Sequence, residues 1–121
     1  MQKILVVDDD DDFRKALCHI LRASGFEPIE QGMPLAVLKT VAETNPDLIL
    51  LDLHMPDVSG DRLLQAIRDC GLDVPVIVIS GRVGIEHLNS LRGHGVENIL
   101  VKPVNKSVLI EKIRSAIPLA G

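Results

Sequence analysis

Short apolar runs alternate with amphipathic segments along the whole chain. Runs of a few aliphatic residues, bounded by polar or turn residues, are typical of strands that are buried on both faces. Four such runs are present: Ile4–Val7, Leu48–Leu51, Val76–Ile79 and Ile99–Val101. A weaker candidate, Glu27–Glu30, contains a proline, which favours a strand at the edge of a sheet. The pattern therefore predicts five strands.

The segments between the runs have apolar residues at helical spacing and predict five helices. The apolar positions are Phe13, Leu17, Ile20 and Leu21; Leu35, Leu38, Val41 and Ala42; Leu63, Ile67 and Cys70; Ile85, Leu88 and Leu91; and Val108, Leu109, Ile113 and Ile117. Glycine or proline follows closely after most of these segments, as expected where helices end. The fourth is the weakest, because glycines lie at both of its ends.

Regular alternation of strands and helices predicts an α/β fold. Right-handed crossovers would give one parallel sheet with helices on both faces. A chain of 121 residues has the size of one domain, so we expect residues 1–121 to form a single unit. In sheets of this kind, ligands bind at the carboxyl ends of the strands. Functional residues are therefore expected directly after each strand.

Composition narrows the functional classes. The formal net charge is −4, and no basic patch is available to neutralise the phosphates of a nucleic acid. We therefore expect no direct binding of nucleic acid. No apolar stretch approaches the roughly 18 residues of a membrane span, and no signal peptide is visible, which predicts a cytoplasmic protein with no membrane contact. The two cysteines, Cys18 and Cys70, lie in helical patterns and are expected to be buried and reduced.

Charged and hydroxyl side chains follow the predicted strands. Asp8 and Asp9 come after the first strand, Asp52 after the third, Ser80 after the fourth and Lys102 after the fifth. Three carboxylates, one hydroxyl and one ammonium group would thus converge at one edge of the sheet. Carboxylates a few ångströms apart repel each other, and a bound cation is the usual remedy. Oxygen ligands with open positions for water favour Mg²⁺.

This set of residues suits the transfer of a phosphoryl group. Such transfer needs mostly positioning and positive charge around the phosphoryl oxygens. Lys102 supplies a second positive charge, and Ser80 can donate a hydrogen bond. Asp52 is then the natural nucleophile, which gives an acyl phosphate. The other acidic residues of the run, from Asp10 to Asp12, are expected only to begin the first helix, where negative charge complements the helix dipole.

Four motifs together resemble the response-regulator receiver family of two-component signalling. They are Ile-Leu-Val-Val-Asp8-Asp9, Leu-Asp52-Leu-His-Met55-Pro56-Asp-Val-Ser-Gly60, Val-Ile-Ser80-Gly81 and Val-Lys102-Pro103. The resemblance extends from Lys3 to about Ile117. It implies a flavodoxin-like (βα)5 fold, doubly wound, with a five-stranded parallel sheet of order 2-1-3-4-5.

The resemblance also implies roles for the acidic residues. Asp52 corresponds to the phosphoacceptor. Asp9 and Asp52 correspond to direct Mg²⁺ ligands, together with the backbone carbonyl of His54. Asp8 is expected to act through a coordinated water.

Further roles concern the phosphoryl group and its donor. By resemblance, Lys102 contacts the phosphoryl group, the Lys102–Pro103 bond is cis, and the hydroxyl of Ser80 moves toward the phosphate on activation. The implied donor is a sensor histidine kinase or a histidine phosphotransfer protein. The surface formed by the fourth helix, the fifth strand and the fifth helix is the expected contact with an effector or with a second copy.

One position departs from the family pattern. The family usually has Tyr or Phe three residues before the lysine, and this chain has Ile99. Isoleucine has no ring to swing inward and has a stiff χ1. We therefore expect the signal to be read through the loop from Ser80 to Gly84 and through the fourth helix. His54 and Arg82 are expected to adjust the lifetime of the acyl phosphate.

Two alternatives belong to other functional classes. A phosphatase of the haloacid-dehalogenase type would use the Asp-x-Asp spacing of Asp8 and Asp10. It needs a further acidic pair after Lys102, where only Glu111 is acidic, and it leaves Asp52 unexplained. The second alternative is a receiver-like interaction module that needs no phosphorylation. As a receiver, the chain would not be an enzyme, and its chemistry would be limited to its own phosphorylation and autodephosphorylation.

Overall fold

The computed structural model describes residues 1–53, 55, 58–81 and 91–118. Its strands are β1 Lys3–Val7, β2 Glu27–Gln31, β3 Leu48–Asp52, β4 Val76–Ser80 and β5 Val96–Val101. Its helices are α1 Asp11–Ala23, a 3₁₀ turn Pro34–Ala36, α2 Val37–Thr44, α3 Gly60–Asp69 and the C-terminal helix Lys106–Ala116. Most of the fourth predicted helix lies outside the described residues, although residues 91–93 are helical. None of the helices in these ranges is long and apolar enough to cross a membrane.

All five strands are parallel and form one sheet of order β2-β1-β3-β4-β5. The predicted flavodoxin-like fold and strand order are therefore confirmed. The register aligns the strand ends, because Val7 lies opposite both Gln31 and Leu51, and Ser80 lies opposite Val101. The residues that follow the strands consequently meet at one edge of the sheet.

The central strands are buried on both faces, which explains their continuous apolar sequences. Successive side chains alternate between two cores. On β3, Ile49 and Leu51 join the core formed with α2 and α3, whereas Leu48 and Leu50 join the core formed with α1 and the C-terminal helix. β1 and β4 divide in the same way. The sheet thus supplies a rigid layer between two sets of helices.

Two element boundaries differ from the sequence prediction by more than one residue. β5 begins at Val96 rather than Ile99, because the polar residues Glu97 and Asn98 extend an edge strand that is buried less completely. Leu35 was expected on the buried face of the second helix, but it is 80% exposed. It lies in the 3₁₀ turn before α2, where three residues per turn rotate it off the apolar face of that helix.

The prediction for the cysteines was right for Cys18 and wrong for Cys70. Cys18 lies on the inner face of α1, and burial, with a smaller contribution from Glu30, raises the pKa of its thiol to about 11. It is therefore a protonated, unreactive thiol at neutral pH. Cys70 is exposed because it is the residue that caps α3, one position beyond the last helical residue, and not part of its apolar face.

Gly60 permits α3 to begin in direct contact with the end of β3. Its backbone N–H donates to the carbonyl of Leu53 over 3.0 Å. A Cβ at this position would lie 2.6 Å from Cα of Leu53 and 3.0 Å from the carbonyl oxygen of Asp52. These neighbours are backbone atoms, so they cannot move aside as a flexible side chain can. Any larger residue would therefore displace the segment that carries Asp52.

We predict that Gly60→Ala destabilises the fold by about 1–3 kcal/mol, because the added methyl group overpacks this contact. Urea denaturation followed by circular dichroism measures the change. The matched control is Gly93→Ala, where a Cβ meets no atom within 4 Å and the backbone is helical. That variant should be as stable as wild type or slightly more stable. Equal stability of the two variants would contradict the predicted backbone clash.

Candidate functional site

Three carboxylates lie together at the carboxyl edge of the sheet. Asp8 and Asp9 directly follow β1, and Asp52 is the last residue of β3. One carboxylate oxygen from each lies within 4.8 Å of the other two. Asp8 and Asp52 are buried, whereas Asp9 is exposed. The cluster is therefore enclosed by protein on one side and open to solvent on the other.

The ammonium group of Lys102 lies against the two buried carboxylates. Its Nζ is 3.1 Å from Oδ2 of Asp8 and 3.9 Å from Oδ2 of Asp52. Its side chain is 25% exposed, so the pair with Asp8 is screened less by water than an ion pair on the surface. Within the described part of the chain, three carboxylates face this one ammonium, which leaves an excess of negative charge in the cluster.

The turn after β1 holds Asp8 in place through both its backbone and its side chain. Oδ1 of Asp8 accepts a hydrogen bond from the backbone N–H of Asp10 over 2.9 Å. Asp10 is also the N-cap of α1, and its side chain accepts the N–H of Phe13. Asp11 and Asp12 lie in the first turn of that helix. The expectation that Asp10 to Asp12 begin α1 is therefore confirmed.

Arg14 fastens this turn to β2. Its guanidinium donates to the carbonyl of Asp8 over 2.8 Å and forms ion pairs with Glu30 at 3.0 Å and with Asp11 at 2.6 Å. Burial by itself lowers the pKa of Arg14, but the hydrogen bonds to Asp11 and Glu30 and the negative charges of these two carboxylates together raise that pKa above its usual value. Gly32 leaves room for this side chain, since a Cβ there would lie 2.5 Å from Nη1.

Ser80 and Lys102 are neighbours through the backbone. Ser80 ends β4 and is fully buried, and its carbonyl accepts the backbone N–H of Lys102 over 2.8 Å. The Lys102–Pro103 bond is cis, as the resemblance to the receiver family implies. The hydroxyl-bearing residue and the ammonium-bearing residue are therefore held at adjacent strand ends.

Other predicted residues lie away from this cluster or outside the described ranges. His54 and Arg82 lie outside the described residues, as does most of the loop from Ser80 to Gly84. Ile99 lies on β5 opposite Val78, partly buried against the core on the side of α2 and α3.

Two residues at the site were not singled out from the sequence, Phe13 and Arg14. The ring centroid of Phe13 lies 4.2 Å from Nζ of Lys102. Helical spacing assigns Phe13 to an apolar face, and nothing in that pattern marks a contact with a lysine 89 positions later. For Arg14 a local signal exists, because Asp11 precedes it by three residues and such pairs meet on a helix.

The donor set suits Mg²⁺. Ligands of an octahedral magnesium site are about 3 Å apart when they are neighbours and about 4 Å apart when they are opposite, so carboxylate oxygens within 4.8 Å of one another are near enough to serve one ion. The exposed position of Asp9 leaves room for the waters that Mg²⁺ retains. A divalent cation would also offset the excess negative charge.

Comparison with protein families gives a match over most of the chain. The model for the response regulator receiver domain matches residues 4–114. The transcriptional regulatory protein PrrA of Mycobacterium leprae is 34% identical over 119 residues, covering 98% of this chain and 51% of PrrA. The DNA-binding response regulator MtrA of Mycolicibacterium paratuberculosis is 31% identical over 117 residues, covering 96% of this chain and 51% of MtrA. The chain thus spans about half the length of these curated relatives.

Solved structures give the same fold. The chemotaxis protein CheY4 of Vibrio cholerae superposes with a TM-score of 0.90 at 24% identity, covering 97% of this chain and 99% of CheY4. A CheY-like receiver domain protein of Methanospirillum hungatei superposes with a TM-score of 0.88 at 27% identity, covering 95% of this chain and 92% of the other. The likeness to CheY4 shows the fold alone.

We predict that Lys102→Met destabilises the fold by about 1–3 kcal/mol without divalent cations, because it leaves the buried carboxylate of Asp8 without its cation. Urea denaturation in the presence of a chelator measures the change. Adding Asp8→Asn to this variant should recover much of the loss. The control is Lys15→Met on the exposed side of α1, which should change stability by no more than about 0.5 kcal/mol. Wild-type stability of Lys102→Met would contradict the role of this ion pair.

Proposed function

Since the chain belongs to the response regulator receiver domain family, we propose that Asp52 accepts a phosphoryl group. One observation carries the proposal: Asp52, buried at the end of β3, lies within 4.8 Å of two further carboxylates and 3.9 Å from the ammonium of Lys102. A carboxylate oxygen there has positive charge beside it, and the exposed Asp9 marks the solvent side of the cluster. These are the conditions that phosphoryl transfer needs.

The proposed donor is a phosphohistidine of a sensor histidine kinase or of a histidine phosphotransfer protein. A carboxylate oxygen of Asp52 forms a bond to phosphorus while the bond from phosphorus to the histidine nitrogen breaks. The electrons of the broken bond remain on the imidazole ring. Lys102 then pairs with a phosphoryl oxygen, and the hydroxyl of Ser80 donates a hydrogen bond to another.

For the metal, we propose that Asp8, Asp9 and Asp52 hold Mg²⁺, together with the backbone carbonyl of His54. When bound, the ion supplies positive charge that offsets the charge on the phosphoryl oxygens. The side chains of Asp8 and Asp9 would hold the ion beside Asp52. Asp8 itself is oriented by Lys102 and by the N–H of Asp10.

The output of the domain is proposed to pass through the Ser80 loop and the face formed by the fourth helix, β5 and the C-terminal helix. Two apolar side chains support this surface as a contact site, since Val101 is 57% exposed and Val108 is 39% exposed. The occupant would be an effector or a second copy of the chain.

We further propose that residues 1–121 act as one receiver domain, with no direct contact to nucleic acid. The cytoplasmic location stays a prediction.

The alternatives from the sequence have less support. A phosphatase of the haloacid-dehalogenase type gives no role to Asp52, although Asp52 lies within the cluster. A module independent of phosphorylation has no need for Lys102 between two buried carboxylates. PrrA and MtrA carry names that refer to transcription and DNA binding, and both are about twice as long as this chain.

We predict that phosphoramidate with Mg²⁺ adds one phosphoryl group to the wild-type protein and none to Asp52→Asn. Intact-mass spectrometry under conditions that preserve acyl phosphates measures the gain. Asp12→Asn is the matched control, because it removes an exposed carboxylate in the first turn of α1 outside the cluster. It should be phosphorylated like wild type. Phosphorylation of Asp52→Asn, or no mass gain in wild type, would contradict the proposal.

We also predict that Mg²⁺ stabilises the fold by mass action. At a hundred times its dissociation constant the gain is about 2.7 kcal/mol, because the ion binds only the folded cluster. Thermal denaturation over a series of Mg²⁺ concentrations measures it, and Asp9→Asn should remove the dependence. Without Mg²⁺, that variant should be at least as stable as wild type, since it relieves repulsion. An unchanged response to Mg²⁺ in Asp9→Asn would exclude Asp9 as a ligand.

A further inference from the structure

The ammonium of Lys102 contacts an aromatic ring as well as two carboxylates. Nζ lies 4.2 Å from the ring centroid of Phe13, 3.1 Å from Asp8 and 3.9 Å from Asp52. The face of an aromatic ring carries partial negative charge and attracts cations within about 6 Å of its centroid. The ammonium therefore has attractive neighbours on both the carboxylate side and the aromatic side.

The ring of Phe13 is held in place independently of Lys102. Its backbone N–H donates to the N-cap Asp10 over 3.1 Å, which fixes its position in the first turn of α1. Its side chain is partly buried against the core between α1, the C-terminal helix and the sheet. Lys102, by contrast, has a flexible stem of four carbons and loses rotamer freedom when its charge is localised. The fixed ring can thus order the mobile lysine.

We propose that Phe13 is a positioning residue that acts through Lys102. Its ring holds the ammonium group beside Asp52, so that positive charge is in place before the phosphoryl group arrives. This inference rests on the proposed role of Asp52. It predicts that the aromatic character of residue 13 affects phosphoryl transfer, whereas a core residue would need only the right volume and polarity.

Two replacements at position 13, one without a ring and one with a ring, distinguish the proposal from simple packing. Leucine would preserve an apolar contact with the core, but it would remove the charged face that attracts the ammonium. Tyrosine would keep the ring. The comparison of Phe13→Leu with Phe13→Tyr therefore separates the attraction of the ring from simple packing.

The first test observes the contact without any phosphorylation. Protons above an aromatic ring are shielded, so the ε-methylene resonances of Lys102 should lie upfield of those of exposed lysines such as Lys106. NMR spectra of wild type, Phe13→Leu and Phe13→Tyr measure this, with Lys102→Arg used to assign the resonances. The upfield shift should persist in Phe13→Tyr and vanish in Phe13→Leu. Identical Lys102 resonances in wild type and Phe13→Leu would overturn the contact.

The second test measures the rate of phosphorylation by phosphoramidate with Mg²⁺. Phe13→Leu should react about threefold to tenfold more slowly than wild type, which is the range expected for one cation–π contact. Phe13→Tyr should restore most of the rate. In a Lys102→Ala background, Phe13→Leu should cause no further loss. An unchanged rate in Phe13→Leu, or an equal loss in both backgrounds, would overturn the proposal.

Phe26→Leu is the matched control for stability. Phe26 is buried in the same core as Phe13. Among the residues that the structure describes, the lysine contact is made by the ring of Phe13 and not by that of Phe26. The Phe26 variant should lose stability and keep the wild-type rate. A rate loss equal to that of Phe13→Leu would assign the effect to the core instead. If wild type accepts no phosphoryl group, the proposed function fails, while the NMR shift still reports on the contact.

Discussion

Repulsion among three carboxylates is the physical constraint on the site at the carboxyl edge of the sheet. Asp8, Asp9 and Asp52 place their oxygens within 4.8 Å of one another, and two of these residues are buried. Burial of like charges is unfavourable unless cations and hydrogen bonds compensate. Lys102 compensates for one carboxylate. With the Mg²⁺ proposed above, the remaining negative charge would be offset by the ion, and the repulsion among these acids would contribute to its affinity.

The parallel sheet makes it possible to hold such a cluster together. Strands buried on both faces by aliphatic side chains cannot shift in register without moving residues between the two cores. The strand ends therefore keep the spacing of Asp8 and Asp52 against their own repulsion. Gly60 contributes by letting α3 begin against the backbone of Leu53, one residue beyond Asp52. Hydrophobic burial thus stabilises an arrangement that electrostatics alone would disperse.

The sequence predicts the fold and the convergence of strand ends because both follow from simple periodicity. Buried parallel strands are continuous aliphatic runs, and their carboxyl ends lie at one edge. Two of the errors concern residues at element ends. Cys70 caps a helix and Leu35 lies in a 3₁₀ turn, so neither has the environment that helical spacing assigns to it. The contact of Phe13 with Lys102 depends on the register of β5 and on one lysine rotamer, which no local pattern reports.

Ile99 raises the question of how a change at Asp52 could be transmitted without an aromatic ring at position 99. It is partly buried against the core beside α2 and α3, and it has no ring that could respond to a change at Ser80. Lys102, in contrast, is bound to Ser80 through its backbone, to Asp8 through its ammonium and to α1 through Phe13. A phosphoryl group on Asp52 would attract that ammonium away from Asp8. Because these contacts share one residue, a change in the partner of Lys102 would act on β4 and α1 without any movement at position 99.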